Sequence, residues 1–398
     1  PDLLVSKPAV TINLNIIIRG ELDMFSAPFH VDFDITLECT HKCKHCNVDA
    51  GNRLDDELSY EEICHVLDEF DDIGVCNISI TGGEPLIRKD CIEILKYASR
   101  KESFKLTLNT NAVLLSKEVA DEIKLINPNL LIAVSLDGYD AESYSILRKV
   151  DTNENNTPKN IFDRIIENIL YAVEIGLNVS INYTITAATI GNFYKTFEFI
   201  NGLGIKRMLG IKFFPFGQGE KYASELELDY EVWKAFLIDL FERKKQNDKY
   251  KGIKISVPCP WELYLPFYEN QENLHEIETY FSYNSPLESQ AYSKMRNIGC
   301  HAGITSCAMS ANGDVYPCGT VSSKFPPFVC GNIRDKSFAE IWKGNNVFDI
   351  FREVEMKDIG GKCNECDLVK LCGGGCRSRA YFKYKDIKAP DYLCPRSL

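Results

Sequence analysis

The chain has 398 residues, 45% of them apolar, and a formal net charge of −12. That length allows one large domain and a smaller one, each with its own core. No segment reaches the about 18–20 uninterrupted apolar residues of a membrane helix, and the acidic balance argues against nucleic acid as a partner.

Residues 1–30 read as an N-terminal extension, whose apolar run Ile16-Ile17-Ile18 is cut short by Arg19. The alternating segment Val31-Asp32-Phe33-Asp34-Ile35-Thr36-Leu37 predicts a strand over 32–37 that runs directly into Cys39-Thr40-His41-Lys42-Cys43-Lys44-His45-Cys46. Ser59 with Glu62 forms a capping box that opens a helix. The next strand, 77–81, ends in Thr81-Gly82-Gly83-Glu84-Pro85, and further strands are expected at 104–109, 130–136, 178–185 and 206–213. Helices between them are marked by Ser116 and by Thr157 before Pro158. Such β-α units require parallel strands joined by right-handed crossovers. Six of them suit an α/β fold, an open partial (β/α)6 barrel over 31–228, with its site at the C-terminal ends of the strands.

Residues 229–299 read as a bridging segment. It holds a helix from Asp229 to Gln246, in which Arg243-Lys244-Lys245 looks like a solvated face, and then Cys259 between Pro258 and Pro260. From 300 to 398 the chain is cysteine-dense: Cys300, Cys307, Cys318, Cys330, then Cys363, Cys366, Cys372, Cys376 and Cys394. Sixteen cysteines, grouped at ligand spacing and with no secretion signal in view, predict a reducing cytoplasm.

The C-x3-C-x2-C spacing of Cys39, Cys43 and Cys46 gives an iron–sulfur cube three thiolates and leaves one iron open for a small molecule. Zinc is the competing reading, although zinc ribbons favour two separated C-x2-C pairs. In the C-terminal part, loops at these spacings suit a small domain that gains folding energy from metal ligation, with a pair of structural zinc sites as the alternative. Gly373-Gly374-Gly375 is read as backbone packed closely round a cluster rather than a phosphate loop. Cys64, Cys76 and Cys91 are expected in the core, and Cys330 in a buried strand.

The cysteine triad after the first strand and Gly82-Gly83-Glu84-Pro85 after the second resemble the radical S-adenosylmethionine (SAM) superfamily. The C-terminal pattern, with Cys300-His301-Ala302-Gly303 and Asn312-Gly313-Asp314 leading into Cys318, resembles the SPASM extension of radical SAM peptide-modifying enzymes. The resemblance implies SAM and three [4Fe–4S] clusters as cofactors. Cys39, Cys43 and Cys46 would hold the SAM-binding cluster. Cys363, Cys366, Cys372 and Cys394 would hold an outer auxiliary cluster, and Cys300, Cys318 and Cys376 an inner one. The eighth auxiliary ligand stays open between Cys307 and none. It further implies that Gly82, Gly83 and Glu84 meet the methionyl amino group, that Ser135 and Asp137 bond the ribose hydroxyls, that Asn109, Thr110 and Asn111 line the pocket, and that Arg148 reaches the SAM carboxylate. His45 is expected to pack beside the adenine or the cluster, and Asn47 to make a packing contact.

The leading functional expectation is a peptide maturase that crosslinks, thioether-bridges or epimerises a ribosomal precursor peptide. One alternative is oxidation or decarboxylation of a non-peptide substrate, as in tetrapyrrole or redox-cofactor biosynthesis, or maturation of a protein side chain as in sulfatase maturases. The other is an iron–sulfur electron-transfer or scaffold protein, which would need no SAM pocket. Expected partners are the peptide or small-molecule substrate and a flavodoxin or ferredoxin. The segment before the barrel is short for a leader-binding module of about 80 residues, which predicts a separate leader-binding protein. Cys259, near the barrel mouth, is a candidate hydrogen-atom donor or auxiliary ligand, set against a buried inter-domain turn.

Overall fold

The computed structural model describes residues 16–19, 22–150, 157–281, 299–321, 326–344 and 347–397. Ile16–Arg19 (β1) and Leu22–Phe25 (β2) form an antiparallel hairpin. Six strands then appear within two residues of their expected limits: His30–Thr36 (β3), Asn77–Gly82 (β4), Lys105–Thr110 (β5), Leu131–Ser135 (β6), Asn178–Ile185 (β7) and Met208–Lys212 (β8). Each pairs in parallel with the next.

Two parallel strands flank these six. Ile253–Ser256 (β9), from the bridging segment, joins β8, while Ser306–Met309 (β10), from the cysteine-dense part, joins β3. Asp314–Tyr316 (β11) and Gly331–Asn332 (β12) extend that edge antiparallel. The sheet therefore runs β12-β11-β10-β3-β4-β5-β6-β7-β8-β9, open at both ends.

The period-2 pattern sorts side chains to two faces. In β7, Val179, Ile181, Tyr183 and Ile185 pack in one apolar core with helix residues such as Phe162, Ile165 and Phe193. Asn178, Ser180, Asn182 and Thr184 face the other way and are half-buried. The helices begin where their caps predict. Ser59 and Glu62 bond reciprocally ahead of Tyr60–Ile73, Ser116 accepts from Val119 N, and Thr157 from Asn160 N. Each cap satisfies donors that a helix start otherwise orphans.

Three expectations need correction. Lys244 is not solvated: it is 1% exposed, and its Nζ donates to the carbonyls of Ile253 and Tyr280. A charge run cannot reveal that tertiary packing has left two carbonyls over one turn of a helix. Cys64 and Cys91 are buried, but Cys76 is only half-buried, at the entrance to β4 rather than within it. Cys330 is buried immediately before the two-residue β12, not inside a strand.

Candidate active site

The C-terminal ends of β3 and β4 meet through two glycines. Gly83 N donates to Thr36 O and Glu84 N to Glu38 O, both at 2.8 Å. A Cβ on Gly82 would stand 2.1 Å from Thr36 O, and one on Gly83 2.1 Å from Glu38 O. Only glycine lets the backbone come this close, and the segment it seats is the one that carries Cys39.

Glu84 does not present a free carboxylate. It is fully buried, with Oε1 accepting from Thr110 Oγ1 at 2.7 Å and Leu86 N at 3.1 Å, and Oε2 from Asn111 N at 2.7 Å. Burial raises its carboxyl above the usual range. The motif's glutamate ties the ends of β4 and β5 together, because buried backbone donors there need an acceptor.

Each sulfur of the triad faces an N–H donor: His41 N at 3.4 Å from Cys39 Sγ, Ala50 N at 3.4 Å from Cys46 Sγ, and Arg148 Nη1 at 3.8 Å from Cys43 Sγ. Burial pushes the Cys39 thiol up to about 11 and Cys43 to about 12. Donors aimed at sulfur are what a cluster-bound thiolate accepts, so the loop fits the group. Among the described residues no three His, Cys, Asp or Glu side chains converge as round one metal ion; cluster ligands hold separate irons.

Behind the loop, Arg148 Nε lies 2.6 Å from Asp137 Oδ2. Asp137 Oδ1 accepts from Thr184 N at 2.6 Å, and His45 Nε2 stands 3.6 Å from Oδ2. Asp137 is fully buried, so its oxygens serve Arg148 and β7 rather than an open ribose site. The attraction of Asp137 and the Cys43 sulfur holds Arg148 firmly cationic against its burial. His41 and Tyr144 escaped sequence reasoning, since His41 is only a spacer between two cysteines of the triad and Tyr144 falls in no motif. His41 Nε2 shares a hydrogen bond of 2.9 Å with Tyr144 OH, and its Nδ1 shares one of 2.9 Å with Thr40 Oγ1, which also accepts from Asn111 Nδ2.

Ser135 and Asn109 lie half-buried on the inner face, Asn109 Oδ1 accepting from Asn182 Nδ2 at 3.2 Å. With Thr107, Ser180, Asn182 and Thr184 they make a lining of neutral hydrogen-bonding groups. Asn47 does more than pack: its Nδ2 donates to Gly319 O, next to Cys318, at 3.0 Å.

In the C-terminal part, Cys363, Cys366, Cys372 and Cys394 line one cavity with Trp261, Leu265 and Leu368. Cys300 and Cys318 pack against a second apolar cluster, whereas Cys376 is buried with Cys259, Trp261 and Leu368 beside Cys366, Cys372 and Cys394. Burial, then Cys318, raises the Cys300 thiol to about 11, and Cys318 Sγ lies 2.9 Å from Thr320 Oγ1. Cys307 is buried on β10 opposite Val31, in the main core with Met309 and Cys330. Cys259 does not face an open mouth. Its thiol is enclosed by Arg379 Nη2 at 2.8 Å, Asp391 Oδ2 at 3.4 Å and Glu262 Oε2 at 3.5 Å. Arg379 also bonds Glu262 and Asp391, and Lys212 bonds Glu262 at 2.6 Å. These four charges are paired, as burial demands. Gly374 and Gly375 both have positive φ, and a Cβ on Gly375 would stand 2.5 Å from that of Asp391.

Comparison with known proteins agrees with this geometry. The Radical SAM superfamily model matches residues 34–200, and the SPASM iron–sulfur cluster-binding domain model matches residues 300–367. Residues 34–200 thus belong to the radical SAM superfamily, and residues 300–367 to the SPASM domain family. It is 29% identical to an AdoMet-dependent heme synthase of Methanosarcina barkeri, over 93% of this chain and 97% of that protein. It is 25% identical to the mycofactocin maturase MftC of Mycobacterium tuberculosis, over 92% of this chain and 83% of that one. Among solved structures, Streptococcus suis SuiB bound to precursor peptide SuiA superposes with a TM-score of 0.71 at 21% identity, covering 94% of this chain and 77% of that chain. Membership supports SAM and iron–sulfur clusters as cofactors. No described helix is long and apolar enough to cross a membrane.

Proposed function

We propose that this radical SAM enzyme modifies a ribosomally made precursor peptide, forming a crosslink or thioether or inverting a residue. The observation that carries this reading is the inner face of the barrel. From the layer of Asp32 upward, the described inward positions of β3 to β8 offer carboxylates, amides and hydroxyls interspersed with Leu131, Ala133, Leu209 and Ile211, with no lysine or arginine among them. A polypeptide finds hydrogen-bond partners on such a wall, whereas a tetrapyrrole bearing several carboxylates would leave them without cations.

The proposed ligand sets are Cys39, Cys43 and Cys46 for the SAM-binding cluster; Cys363, Cys366, Cys372 and Cys394 for an outer cluster; and Cys300, Cys318 and Cys376 for an inner one, three [4Fe–4S] clusters in all. The shared cavity supports the outer set, and burial of Cys307 among apolar side chains disfavours it as an eighth ligand. The barrel is assigned to 31–228, the bridge to 229–299 and the auxiliary domain to 300–398. When bound, the open cluster and SAM supply an electron and a carbon-centred radical that removes hydrogen from an unactivated C–H bond. The chain's own residues do the rest. Gly82 and Gly83 seat the cysteine loop, Arg148 held by Asp137 donates toward Cys43, and the strand ends shield the site from water. A flavodoxin or ferredoxin as reductant, a separate leader-binding protein and a cytoplasmic setting complete the proposal.

A second reading, tetrapyrrole decarboxylation, is favoured by the near full-length similarity to the heme synthase. Anaerobically reconstituted protein, SAM and reductant separate the two. Candidate precursor peptides encoded beside the gene and iron coproporphyrin III are supplied in turn, and 5′-deoxyadenosine and product mass are followed. A mass change in a peptide carries the first reading; loss of carbon dioxide from the porphyrin alone replaces it with the second.

A further inference from the structure

Most buried carboxylates in this protein are visibly partnered. Glu84 accepts from backbone and hydroxyl, Asp137 faces Arg148 and Thr184 N, and Glu262 and Asp391 share Arg379. Asp34 differs. It lies on the inward side of β3, in register with Thr81, and is 2% exposed, yet its Oδ2 has no hydrogen-bond partner among the described residues. Leaving a buried polar atom unpaired costs about 1–3 kcal/mol, more for a charged group, so such groups tend to persist where something else satisfies them. Asp32 follows on the same face, one layer down and half-buried, in register with Ser79. A Cβ on Gly319 would stand 2.4 Å from Asp32 Oδ2, so the loop that carries Cys318 lies directly on this residue. Asp34 also precedes Cys39 on the strand that feeds the cysteine loop. The pair thus sits between the proposed SAM-cluster loop and the proposed inner auxiliary set.

We propose that Asp34, supported by Asp32, is the anchoring group of the barrel interior and accepts an N–H donor of the bound peptide, a backbone amide or an ammonium. The inference rests on the peptide reading above and adds the residue and the chemistry by which a peptide is held. Among the described residues nothing cationic meets Asp34; burial, and then the Asp32 charge, holds its carboxyl well above the ordinary range. A donor brought by the substrate supplies what the fold withholds.

The test uses the full chain, anaerobically reconstituted with SAM. A randomised peptide library displayed on its encoding RNA is selected on the wild-type protein, and recovered peptides are measured by fluorescence anisotropy on wild type, Asp34→Asn and Asp32→Asn. Asp34→Asn is expected to weaken binding by about tenfold or more, as loss of a charge-assisted hydrogen bond does, and at the same time to raise Tm, because an unpaired buried carboxylate has gone. That opposite pair of changes is the signature a purely structural aspartate would not give. Equal affinity of wild type and Asp34→Asn for selected peptides overturns the inference and leaves the peptide reading intact. A fall in Tm and iron content in Asp34→Asn also overturns it, by making Asp34 a structural residue. Failure to select any peptide, with iron coproporphyrin III bound instead, overturns the peptide reading and this inference with it.

Discussion

Replacing Gly83 by alanine adds one methyl group to the junction between β4 and the cysteine loop. The new Cβ would lie 2.1 Å from Glu38 O, 2.6 Å from Glu38 C and 2.8 Å from Leu37 C, all backbone atoms. No rotamer change relieves this, so the segment 36–38 must move away. Overpacking of this kind costs about 1–3 kcal/mol, and the shift breaks the bonds from Gly83 N and Glu84 N, each worth about 0.5–1.5 kcal/mol. The sum, about 2–6 kcal/mol, is a large part of the about 5–15 kcal/mol of a typical domain. Anaerobic urea unfolding followed by circular dichroism measures it, with iron content as a second readout, because a displaced Cys39 should cost the variant one cluster. Gly191→Ala is the control, since a Cβ there meets nothing within 4 Å. A Gly83→Ala protein within about 0.5 kcal/mol of wild type and with full iron would refute the claim that these glycines seat the loop.

Alanine at Cys39, Cys43 and Cys46 is expected to abolish SAM cleavage while iron falls from about twelve to about eight per chain, at four per cube; continued formation of 5′-deoxyadenosine would sink the assignment. Arg148→Met strands the buried Asp137 carboxylate and should cost about 3–5 kcal/mol, with Asp137→Asn in the same chain restoring at least about 1 kcal/mol; additive losses in that cycle would contradict the pairing. Burial lowers the Lys244 amine to about 8 from the 10.5 of an exposed lysine. Between those values the unfolded chain binds the extra proton, so this group makes stability rise with pH across that window, by up to about 3 kcal/mol. Buried thiols act in the opposite sense, so the measure is the difference between wild-type and Lys244→Met unfolding profiles from pH 8 to 10.5; parallel profiles would count against a buried amine.

The barrel was legible because its strands alternate so regularly. In β7 every second residue is apolar, which gave both limits of the strand, 178–185. The edge strands were not legible. Ile253-Lys254-Ile255-Ser256 is four residues long with its polar side chains exposed, and a strand that short has no signal apart from the neighbour that pairs with it. Spacing announced the cysteine sets, since a loop of three thiolates is a local pattern. The duties of Glu84 and Asp137 depend on partners on or directly after other strands, Asn111 and Thr184, and read locally as open carboxylates. Arg379, Glu262, Asp391 and Cys259 form one buried cluster from three separate segments; the cysteine pattern that two of those segments carry says nothing of these charges.

The pairing of β3 with β10 bears on how the protein is made. Ser306 stands opposite His30, 276 positions earlier. At about 5–20 residues per second, the ribosome needs from about a quarter of a minute to about a minute to supply that partner. Through that interval the strand leading to Cys39 has one bare edge, a template for unwanted pairing with another chain. A fragment ending before residue 306 would keep that edge permanently. Completion of the barrel is therefore a late event in synthesis, and the cysteine-dense C-terminal part acts as the cover for the first-made strand.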